Sequence, residues 1–536
     1  MLIYWLAVER PLWVDEEMLA LNVRDRSLTG LAGPLWLNQS APLGLLVLER
    51  LVMLTLGTDE WAVRLLPICF GIGTLVVAAW IGRRWMTPFG AAILVATCAL
   101  GEWLVFFVLE LKHYSGDAFW ALLLPALAAR SLERSRGSLP SLRTTSTTSL
   151  WWIAAAAGMW FGNGALFVAP GCAVVLVIVS WRRSGWRGAL DAAAPSAVWF
   201  ASFAADYALV LRHALANPVL QEYWDFAFPP VDQGVAATLA WLASLPEPFA
   251  RKPASSGLPS LFWMAGAIGL GVSFARRQIL GLMFASVPLS ALVLALLHVV
   301  PTFERLGLWV VPALYVAVAL CADASLWFAT RRHRQAFVAM SAAAISGTIV
   351  LAVGGDIVWA GARALAGKEH SNYGLDDRSS IRLLLASHRA GDAIVTTHFG
   401  LVALWWYGGF DIADAERTGQ LPDGSPIFEL RHVPDARDCD GASADLDQAF
   451  SGRDRAAVYL GFRLNVLPEN FDKLAMRELR QRGALVTYKE YADDSRVAIF
   501  ELRARGSRAG DQAQPAEATD AAAPPGCIAV IRARRW

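Results

Sequence analysis

Three adjacent carboxyl groups follow a short apolar run at the start of the chain: Asp15, Glu16 and Glu17. Charged side chains at membrane depth are costly and are therefore candidates for function. A carboxylate at the boundary between membrane and water can act as a general base toward an attacking hydroxyl. Asp15 is the first choice for that base, Glu16 is the second candidate, and Glu17 is less favoured. Successive helical residues point about 100° apart, so all three cannot face one cavity. The alternative is that they are interfacial charges that end a helix.

A second set of residues could bind an anion. Lys112, His113 and Tyr114 are consecutive, and Arg305 lies far along the chain. Fixed cations of this kind stabilise the charge that develops on a leaving phosphate. Each residue also has a simpler interpretation. Lys112 could be a snorkelling anchor, Arg305 could pair with Glu304 or anchor the membrane, and His113 could be an ordinary interfacial histidine.

Metal binding and helix capping are the other roles considered for these acids. Carboxylate oxygens of Asp15 and Glu16, with a remote histidine, would suit Mg²⁺, Mn²⁺ or Ca²⁺. The sequence does not require a metal, and it predicts no other cofactor. Asp117 is expected to cap the helix that follows it, because aspartate is a favoured N-cap residue.

The composition is that of a membrane protein. Of the 536 residues, 56% are hydrophobic and 17% are charged, whereas an average soluble domain carries about 25% charged residues. The 23 tryptophans are typical of a chain with many membrane interfaces. A net charge of +1 gives no electrostatic reason to expect nucleic acid as a partner.

Apolar runs of spanning length recur between residues 61 and 359. Together with a helix at the N-terminus they predict about eleven transmembrane helices. The arginine-rich short loops then all fall on one side, which the positive-inside rule makes cytoplasmic. The expected spans are 61–83, 88–109, 116–131, 150–162, 164–181, 190–212, 259–275, 278–298, 306–329 and 335–359.

The segment 42–57 is apolar but carries Glu49 and Arg50 at its centre. If it crossed the membrane, the basic loops would no longer share a side, so we expect an interfacial helix on the outer leaflet. The outer side would also hold residues 13–60, the loop at Lys112 and the loop 213–258. That last loop, rich in proline and aromatic residues, either rests on the bilayer or gates substrate entry.

Beyond residue 365 the pattern changes to alternating strands and helices. Strands are expected at 393–397, 456–460 and 497–502, and helices at 378–387, 401–407 and 471–481, which predicts an α/β domain over 365–505. Residues 506–536 are expected to form a disordered tail. Cys439 and Cys527 could pair if this part of the chain is extracytoplasmic.

Several short motifs occur in a characteristic order. They are Asp15-Glu16, Gln39–Leu46, Leu56-Gly57, Ala62–Pro67, Leu111–Asp117, and Thr302–Leu306 with Pro312. In this order they resemble the polytopic glycosyltransferases of the GT-C class. The similarity is to the bacterial dolichyl-phosphate-mannose protein mannosyltransferase-like branch (glycosyltransferase family 39, ArnT-like). Two departures from the family pattern are the short N-terminal helix and Ala41, where the family usually has proline.

The resemblance implies a fold, a reaction and a set of roles. The fold would be an α-helical polytopic GT-C domain over 1–360, followed by an extracytoplasmic α/β domain. The enzyme would sit in the inner membrane and transfer a hexosyl or pentosyl unit from a polyprenyl-phosphate sugar. The acceptor would be a hydroxyl of a glycan, lipid or protein at the outer face, and transfer would usually invert the sugar. The two acids at 15 and 16 would be catalytic, and residues 112–114 with Arg305 would bind the donor phosphate.

Two other functions remain as alternatives. One is a transporter or flippase for lipid-linked sugars, although such proteins usually have two related halves with broken helices at the midplane, and the sequence shows no such halves. The other is a non-catalytic membrane protein whose α/β domain binds a partner, which would leave the acidic motif unexplained.

Overall fold

A computed structural model describes residues 10–134, 142–330, 336–366, 375–463, 467–468, 470–492, 494–503 and 527–533. The chain divides into two units. The helical unit contains the described residues of Ser27–His370, and the α/β unit contains those of Leu6–Arg26 and Ser371–Trp536. The division after His370 lies ten residues beyond the expected end of the helical domain at residue 360. The acidic motif, however, belongs with the C-terminal domain and not with the helices that follow it.

The helices and strands have the following bounds. The longer helices are α1 (Val14–Asp25), α2 (Leu43–Leu56), α3 (Leu65–Trp85), α4 (Pro88–Leu100), α5 (Glu102–Val108), α6 (Tyr114–Arg134), α7 (Leu142–Gly158), α8 (Asn163–Ala193), α9 (Ser196–Asp206), α10 (Val235–Ser244), α11 (Pro259–Ala275), α12 (Ile279–Leu296), α13 (Val311–Thr330), α14 (Ala336–Leu365), α15 (Asp377–Ser387), α16 (His398–Tyr407), α17 (Cys439–Phe450) and α18 (Phe471–Arg482). Shorter helical segments include Leu28–Leu31, Glu60–Val63, Tyr207–Leu211, Arg212–Leu215, Pro218–Trp224, Pro246–Arg251, Glu304–Val310 and Ile412–Thr418. The strands are β1 (Ala393–Thr396), β2 (Ile427–Val433), β3 (Arg455–Leu460), β4 (Gly483–Ala492), β5 (Ser495–Leu502) and β6 (Cys527–Arg532).

The helical unit is a multi-pass helical membrane structure, as predicted. By length and composition, five helical stretches among the described residues can cross a membrane. A sixth is added if α4 and α5, which are bent by 51°, form one span. Helices also occur at the other predicted positions, but several are shorter; α11, for example, has 17 residues. The count of about eleven spans therefore stays a prediction.

Two local predictions in this unit concern the segment 42–57 and the loop after residue 181. The segment predicted to lie on the membrane is a helix of 14 residues, α2, and its interfacial position stays a prediction. The loop expected after residue 181 is reduced to a break within α8. Gly185 lies there with a φ of 66°, a left-handed conformation that glycine adopts without steric cost.

Helix α13 is the centre of the helical unit. In the stretch Glu304–Ala329, 94% of the most apolar window is buried, and α13 packs against α4, α11 and α14. The contact with α11 is very close at Gly269, where an added Cβ would lie 2.1 Å from the carbonyl oxygen of Ala317. Small residues allow membrane helices to approach in this way.

The α/β unit is built on one six-stranded sheet with the strand order β4-β5-β3-β1-β2-β6. Strand β1 is parallel to both β2 and β3, while the other neighbours are antiparallel. The three predicted strands correspond to β1, β3 and β5, and the three predicted helices to α15, α16 and α18. The sequence analysis missed β2, β4, β6 and α17.

Helices cover both faces of this sheet. Alternate strand residues point to opposite faces, and one set, including Val395, Val458 and Phe500, packs in a buried cluster with Leu446 of α17 and Phe471 of α18. Helix α15 contacts the sheet at β3 and β5, α16 contacts it at β2, and α1 packs against α16. The helix that carries the acidic motif is therefore an integral part of this unit.

The prediction of a disordered tail over 506–536 is wrong for its last part, which forms the strand β6. Strand β6 pairs antiparallel with β2, from Val433 opposite Cys527 to Phe428 opposite Arg532. The Cys439–Cys527 disulfide joins β6 to the start of α17. This is the cysteine pair considered in the sequence analysis, while the extracytoplasmic location stays a prediction. The domain thus extends past the expected boundary at 505, and residues 504–526 lie outside the described part of the chain.

Candidate functional site

The three acids lie in the first turn of α1, whereas the sequence analysis expected them to follow a helix. The apolar run that would form that preceding helix lies outside the described residues. Negative charge at a helix N-terminus is stabilised by the helix dipole. The helix dipole therefore explains why acids are favourable at all three positions. The surroundings of each acid must then distinguish their roles.

Glu16 holds the start of α1. Its buried carboxylate accepts a hydrogen bond from the Trp13 amide at 2.8 Å and from the Arg10 guanidinium at 3.1 Å. This is the backbone bond of a capping box, combined with a buried ion pair. Both bonds go to the same oxygen, Oε2, so Glu16 is engaged in the structure of this turn, and a role as a metal ligand beside Asp15 stays a prediction.

Asp15 differs from its two neighbours in exposure. It is half-buried, whereas Glu16 and Glu17 are fully buried. Of the three carboxyl groups, that of Asp15 is therefore the one solvent can reach. A base must meet its substrate, so this exposure favours Asp15 over its neighbours, and its catalytic role stays a prediction.

Both ends of α1 are attached to α16 and the segment after it. Before the helix, the Leu12 amide donates to the Tyr407 hydroxyl at 2.7 Å. In the last turn, Arg24 donates to the Phe410 carbonyl at 2.6 Å, and its guanidinium lies 5.2 Å from the Trp406 ring centroid. These contacts satisfy carbonyls near a helix C-terminus with a cation, which is favourable there.

Between these two points of attachment, α1 carries one member of a buried pair of acids. Glu17 faces Asp377, the first residue of α15, and the Tyr459 hydroxyl of β3 donates a hydrogen bond to Asp377 Oδ1. Burial raises the pKa of Asp377 to about 7. Burial and the neighbouring Asp377 charge raise the pKa of Glu17 well above its usual range. Two carboxylates this close cannot both ionise cheaply, so the pair retains a proton at neutral pH.

The predicted phosphate-binding residues lie in the helical unit. Lys112 is buried, and its ammonium donates to Gln39 Oε1 at 2.7 Å. Burial, followed by the charges of Lys112 and Arg305, lowers the pKa of His113 to about 3. The structure therefore brings Arg305 within electrostatic reach of the residues at 112 and 113, although nearly two hundred positions of sequence separate them.

His113 is a neutral member of this cluster. Its Nε2 lies 3.5 Å from an Asp117 carboxylate oxygen, and its Nδ1 has no hydrogen-bond partner among the described residues. Tyr114 packs its ring against those of His113 and Phe107, at centroid distances of 4.7 and 4.8 Å. A neutral histidine would bind phosphate as a hydrogen-bond donor and not as a cation.

Arg305 lies beside aromatic side chains of the loop 213–258. Its guanidinium is 5.7 Å from the Trp224 ring centroid, a cation–π distance. Phe226 packs edge-on against Phe303 at 5.0 Å. The loop therefore contributes a ring beside Arg305, and its two possible roles, resting on the bilayer or gating substrate entry, both stay predictions.

Asp117 corrects an expectation about capping. It lies inside α6, and its Oδ1 accepts a hydrogen bond from the Gly164 amide at 3.1 Å. Gly164 is in the first turn of α8. Asp117 therefore caps a different helix from the one predicted, because α6 begins at Tyr114, three residues before Asp117, so that this side chain lies within the helix and not at its start.

The metal prediction is not supported by a ready-made site. Among the residues described, no three His, Cys, Asp or Glu side chains are grouped as a metal ion would require.

Sequence reasoning found the acids and the cations but missed the residues that hold them. Arg10, Tyr407, Asp377 and Tyr459 were not singled out. Tyr407, Asp377 and Tyr459 have no local motif because they act through contacts distant in sequence, and Arg10 reaches Glu16 six residues along the chain without a recognised motif. Gln39 belonged to a recognised motif, and its bond to Lys112 gives that motif a physical meaning.

No protein-family model matches the sequence, and no curated protein matches it. Solved structures give distant likenesses. ArnT from Cupriavidus metallidurans in the apo state is 14% identical with a TM-score of 0.47, covering 93% of this chain and 96% of that one. The same protein bound to undecaprenyl phosphate is 14% identical with a TM-score of 0.41, covering 95% and 99%. The apo oligosaccharyltransferase from Archaeoglobus fulgidus is 13% identical with a TM-score of 0.48, covering 84% of this chain and 65% of its own.

The oligosaccharyltransferase from Archaeoglobus fulgidus has also been solved in complex with Zn and sulfate. At these identities and TM-scores, no residue role is carried from either protein to this chain. An ArnT and an oligosaccharyltransferase are thus among the solved structures to which this chain is similar.

Proposed function

We propose that this protein is a membrane glycosyltransferase of the GT-C class. It transfers one sugar from a polyprenyl-phosphate donor to an acceptor hydroxyl at the outer face of the inner membrane. The acceptor is a glycan, a lipid or a protein, and the α/β unit contributes to its binding. Transfer proceeds with inversion, by a single displacement at the anomeric carbon.

The observation that carries the proposal is the cationic cluster of the helical unit. Lys112, His113 and Arg305 come together from two separate turns between apolar helices. A buried lysine and an arginine beside a neutral histidine provide two charges and a donor for a phosphate. In a unit made of membrane helices, an anion with an apolar chain is the ligand that fits such a cluster.

Asp15 is the proposed base. It would accept the proton of the acceptor hydroxyl as that oxygen attacks the anomeric carbon and the bond to the phosphate oxygen breaks. The negative charge then moves onto polyprenyl phosphate, where Lys112 and Arg305 would stabilise it. Glu16 supports the first turn of α1, and Tyr114 packs beside the cluster.

The test uses purified full-length protein in detergent with a panel of radiolabelled polyprenyl-phosphate sugars and a crude cell-envelope fraction as acceptor. Release of polyprenyl phosphate is measured with and without EDTA. We expect release from one donor, and its loss in Asp15→Asn. Asp445→Asn, an exposed aspartate of the α/β unit, is the matched control and should retain activity.

Two results would overturn the proposal. Release that persists in folded Asp15→Asn would remove Asp15 as the base. No release from any donor, combined with uptake of chemically unchanged lipid-linked sugar into vesicles, would indicate a transporter. Loss of release in EDTA would show that a metal is needed after all.

A further inference from the structure

Glu17 lies two residues after the proposed base and is fully buried. It has no part in the proposed reaction. Glu17 has none of its side chain exposed, and neither of its carboxyl oxygens has a hydrogen-bond partner within bonding geometry among the described residues. The polar group that faces it is the carboxyl of Asp377. A buried carboxyl without a full partner costs free energy, so its presence needs a physical reason.

Asp377 already has one firm donor. The Tyr459 hydroxyl, at the centre of the sheet on β3, donates to its Oδ1, and both residues are buried. Asp377 also begins α15, where Asp376 is the N-cap and accepts from the Ser379 amide at 3.1 Å. Its position is therefore fixed by the sheet on one side and by a capped helix on the other. A rigid acceptor of this kind can orient whatever donates to it from α1.

The surroundings determine which acid carries the proton. Glu16, Asp376 and Asp494 are the other charged groups that act on the pair, and all are acidic. Tyr459 donates to Asp377 and so favours its ionised form. These surroundings favour the proton on Glu17, with Asp377 as the carboxylate that faces it.

We propose that Asp377, held by Tyr459, is a positioning residue that fixes the first turn of α1 through Glu17 and thereby orients Asp15 for catalysis. This inference rests on the proposed function, because it assigns Asp377 a role in the same reaction. Asp15 and Glu17 share one helical turn, and the Leu12 and Arg24 contacts fix the two ends of α1. Glu16 caps this turn from within α1, and Glu17 adds the interaction that links the turn to Asp377 at the start of α15.

The first measurement does not depend on activity. Amide hydrogen exchange of the peptide that covers α1 is compared in full-length wild type, Glu17→Ala, Glu17→Gln, Asp377→Ala and Asp377→Asn. We expect exchange in both alanine variants to be faster by roughly tenfold to a hundredfold, since each removes one partner of a buried polar contact. Glu17→Gln keeps a donor toward the carboxylate and should restore slow exchange.

The second measurement separates positioning from general stability. On the donor that the panel identifies, Glu17→Ala and Asp377→Ala should lower kcat by about tenfold to a hundredfold, as small misplacements of catalytic groups do, with KM unchanged. Glu17→Gln should recover kcat. Tyr459→Phe, which keeps the ring and removes only the hydroxyl, tests the support of Asp377 should the alanine variants fail to fold, and it should lower kcat as well.

The outcomes distinguish this inference from the proposed function. Exchange in α1 that is unchanged in Asp377→Ala, or kcat that stays at the wild-type value in Glu17→Ala, would overturn the positioning role. A fall in kcat that Glu17→Gln does not recover would overturn the donor role of Glu17. If no donor is turned over by wild type, the proposed function fails, while the exchange data still decide whether the pair holds α1.

Discussion

The two units of this protein bury groups of opposite charge. The helical unit gathers cations from distant turns, where burial and then the charges of Lys112 and Arg305 lower the pKa of His113 and keep it neutral. The α/β unit instead buries acids around α1, and one pair of them must share a proton. A cluster of like charges is unstable without a counterion or a proton. The helical unit therefore places cations near one another, whereas the α/β unit places buried acids near one another, and a proton lowers the cost of the second arrangement.

The largest expected effect tests whether Asp15, unlike Glu16 and Glu17, has a catalytic and not a structural role. Asp15→Asn should lower kcat by about a hundredfold to ten-thousandfold, the usual contribution of a positioned general base. The melting temperature should stay within a few degrees of wild type, because the side chain is half-buried and its size is kept. Polyprenyl phosphate release and thermal unfolding measure the two quantities. A variant that unfolds would show instead that Asp15 is structural like its neighbours.

The next effect concerns how the α/β unit is held together. Cys527→Ser removes the disulfide that joins β6 to α17 across 88 residues of sequence. Loss of such a bridge should cost about 2–5 kcal/mol of unfolding free energy, measured by urea unfolding under oxidising conditions. Cys69→Ser, an unpaired exposed cysteine of the helical unit, is the control and should have no comparable effect. Equal stability of the two variants would contradict a structural role for the bridge.

A somewhat smaller effect is expected from the cation cluster. Arg305→Ala should weaken donor binding by about tenfold to a hundredfold, since hydrogen bonds to charged groups contribute about 1.5–3 kcal/mol each. Acceptor affinity should not change. Titration with polyprenyl phosphate measures the first quantity, and Arg251→Ala, an exposed arginine paired with Glu247 in the same unit, is the control. An unaltered affinity for polyprenyl phosphate would reject a phosphate-binding role for Arg305.

The smallest effect is the pH dependence that the shared proton implies. Because the folded state binds protons at this pair more tightly than the unfolded chain, their contribution is fully present below about pH 4, the pKa of a carboxyl group in an unfolded chain. It is lost as the pH rises from there through the raised pKa values of the pair, which are about 7 for Asp377 and well above the usual range for Glu17. The slope should be about 1.4 kcal/mol per pH unit for one proton.

Urea unfolding at pH 5, 7 and 9 measures this dependence, and Glu17→Gln serves as the comparison. The amide needs no proton, so the variant should lose less stability than wild type between pH 5 and pH 9. Parallel profiles for the two proteins would show that the pair holds no extra proton.

The elements that the sequence predicted well are those with a strong local pattern. Strands β1, β3 and β5 are short apolar runs, and α15 and α18 have clear helical spacing. Strand β4 was missed because most of its residues are exposed, which leaves it with no apolar pattern. Strand β6 was missed because it follows a polar, proline-rich segment, and only its pairing with β2 and its disulfide reveal it.

The candidate site was predictable in type but not in arrangement. The three acids and the run at Lys112 stand out, since charges are rare among so many apolar residues. That Glu16 caps α1, that Asp117 caps α8, and that Glu17 meets Asp377 could not be foreseen. Each of these depends on which side of a helix faces a neighbour, and a shift of one residue in a helix boundary turns a side chain by about 100°.

By itself, the sequence determined the membrane class, the presence of a separate α/β domain and the residue types that could do chemistry. These follow from composition and short-range periodicity, which act within a few residues. Only the tertiary structure decided that α1 belongs to the α/β unit, that Arg305 meets the turn at Lys112, and that two buried acids share a proton. Those contacts join residues hundreds of positions apart, and their energies come from burial and from partners that only the folded chain brings together.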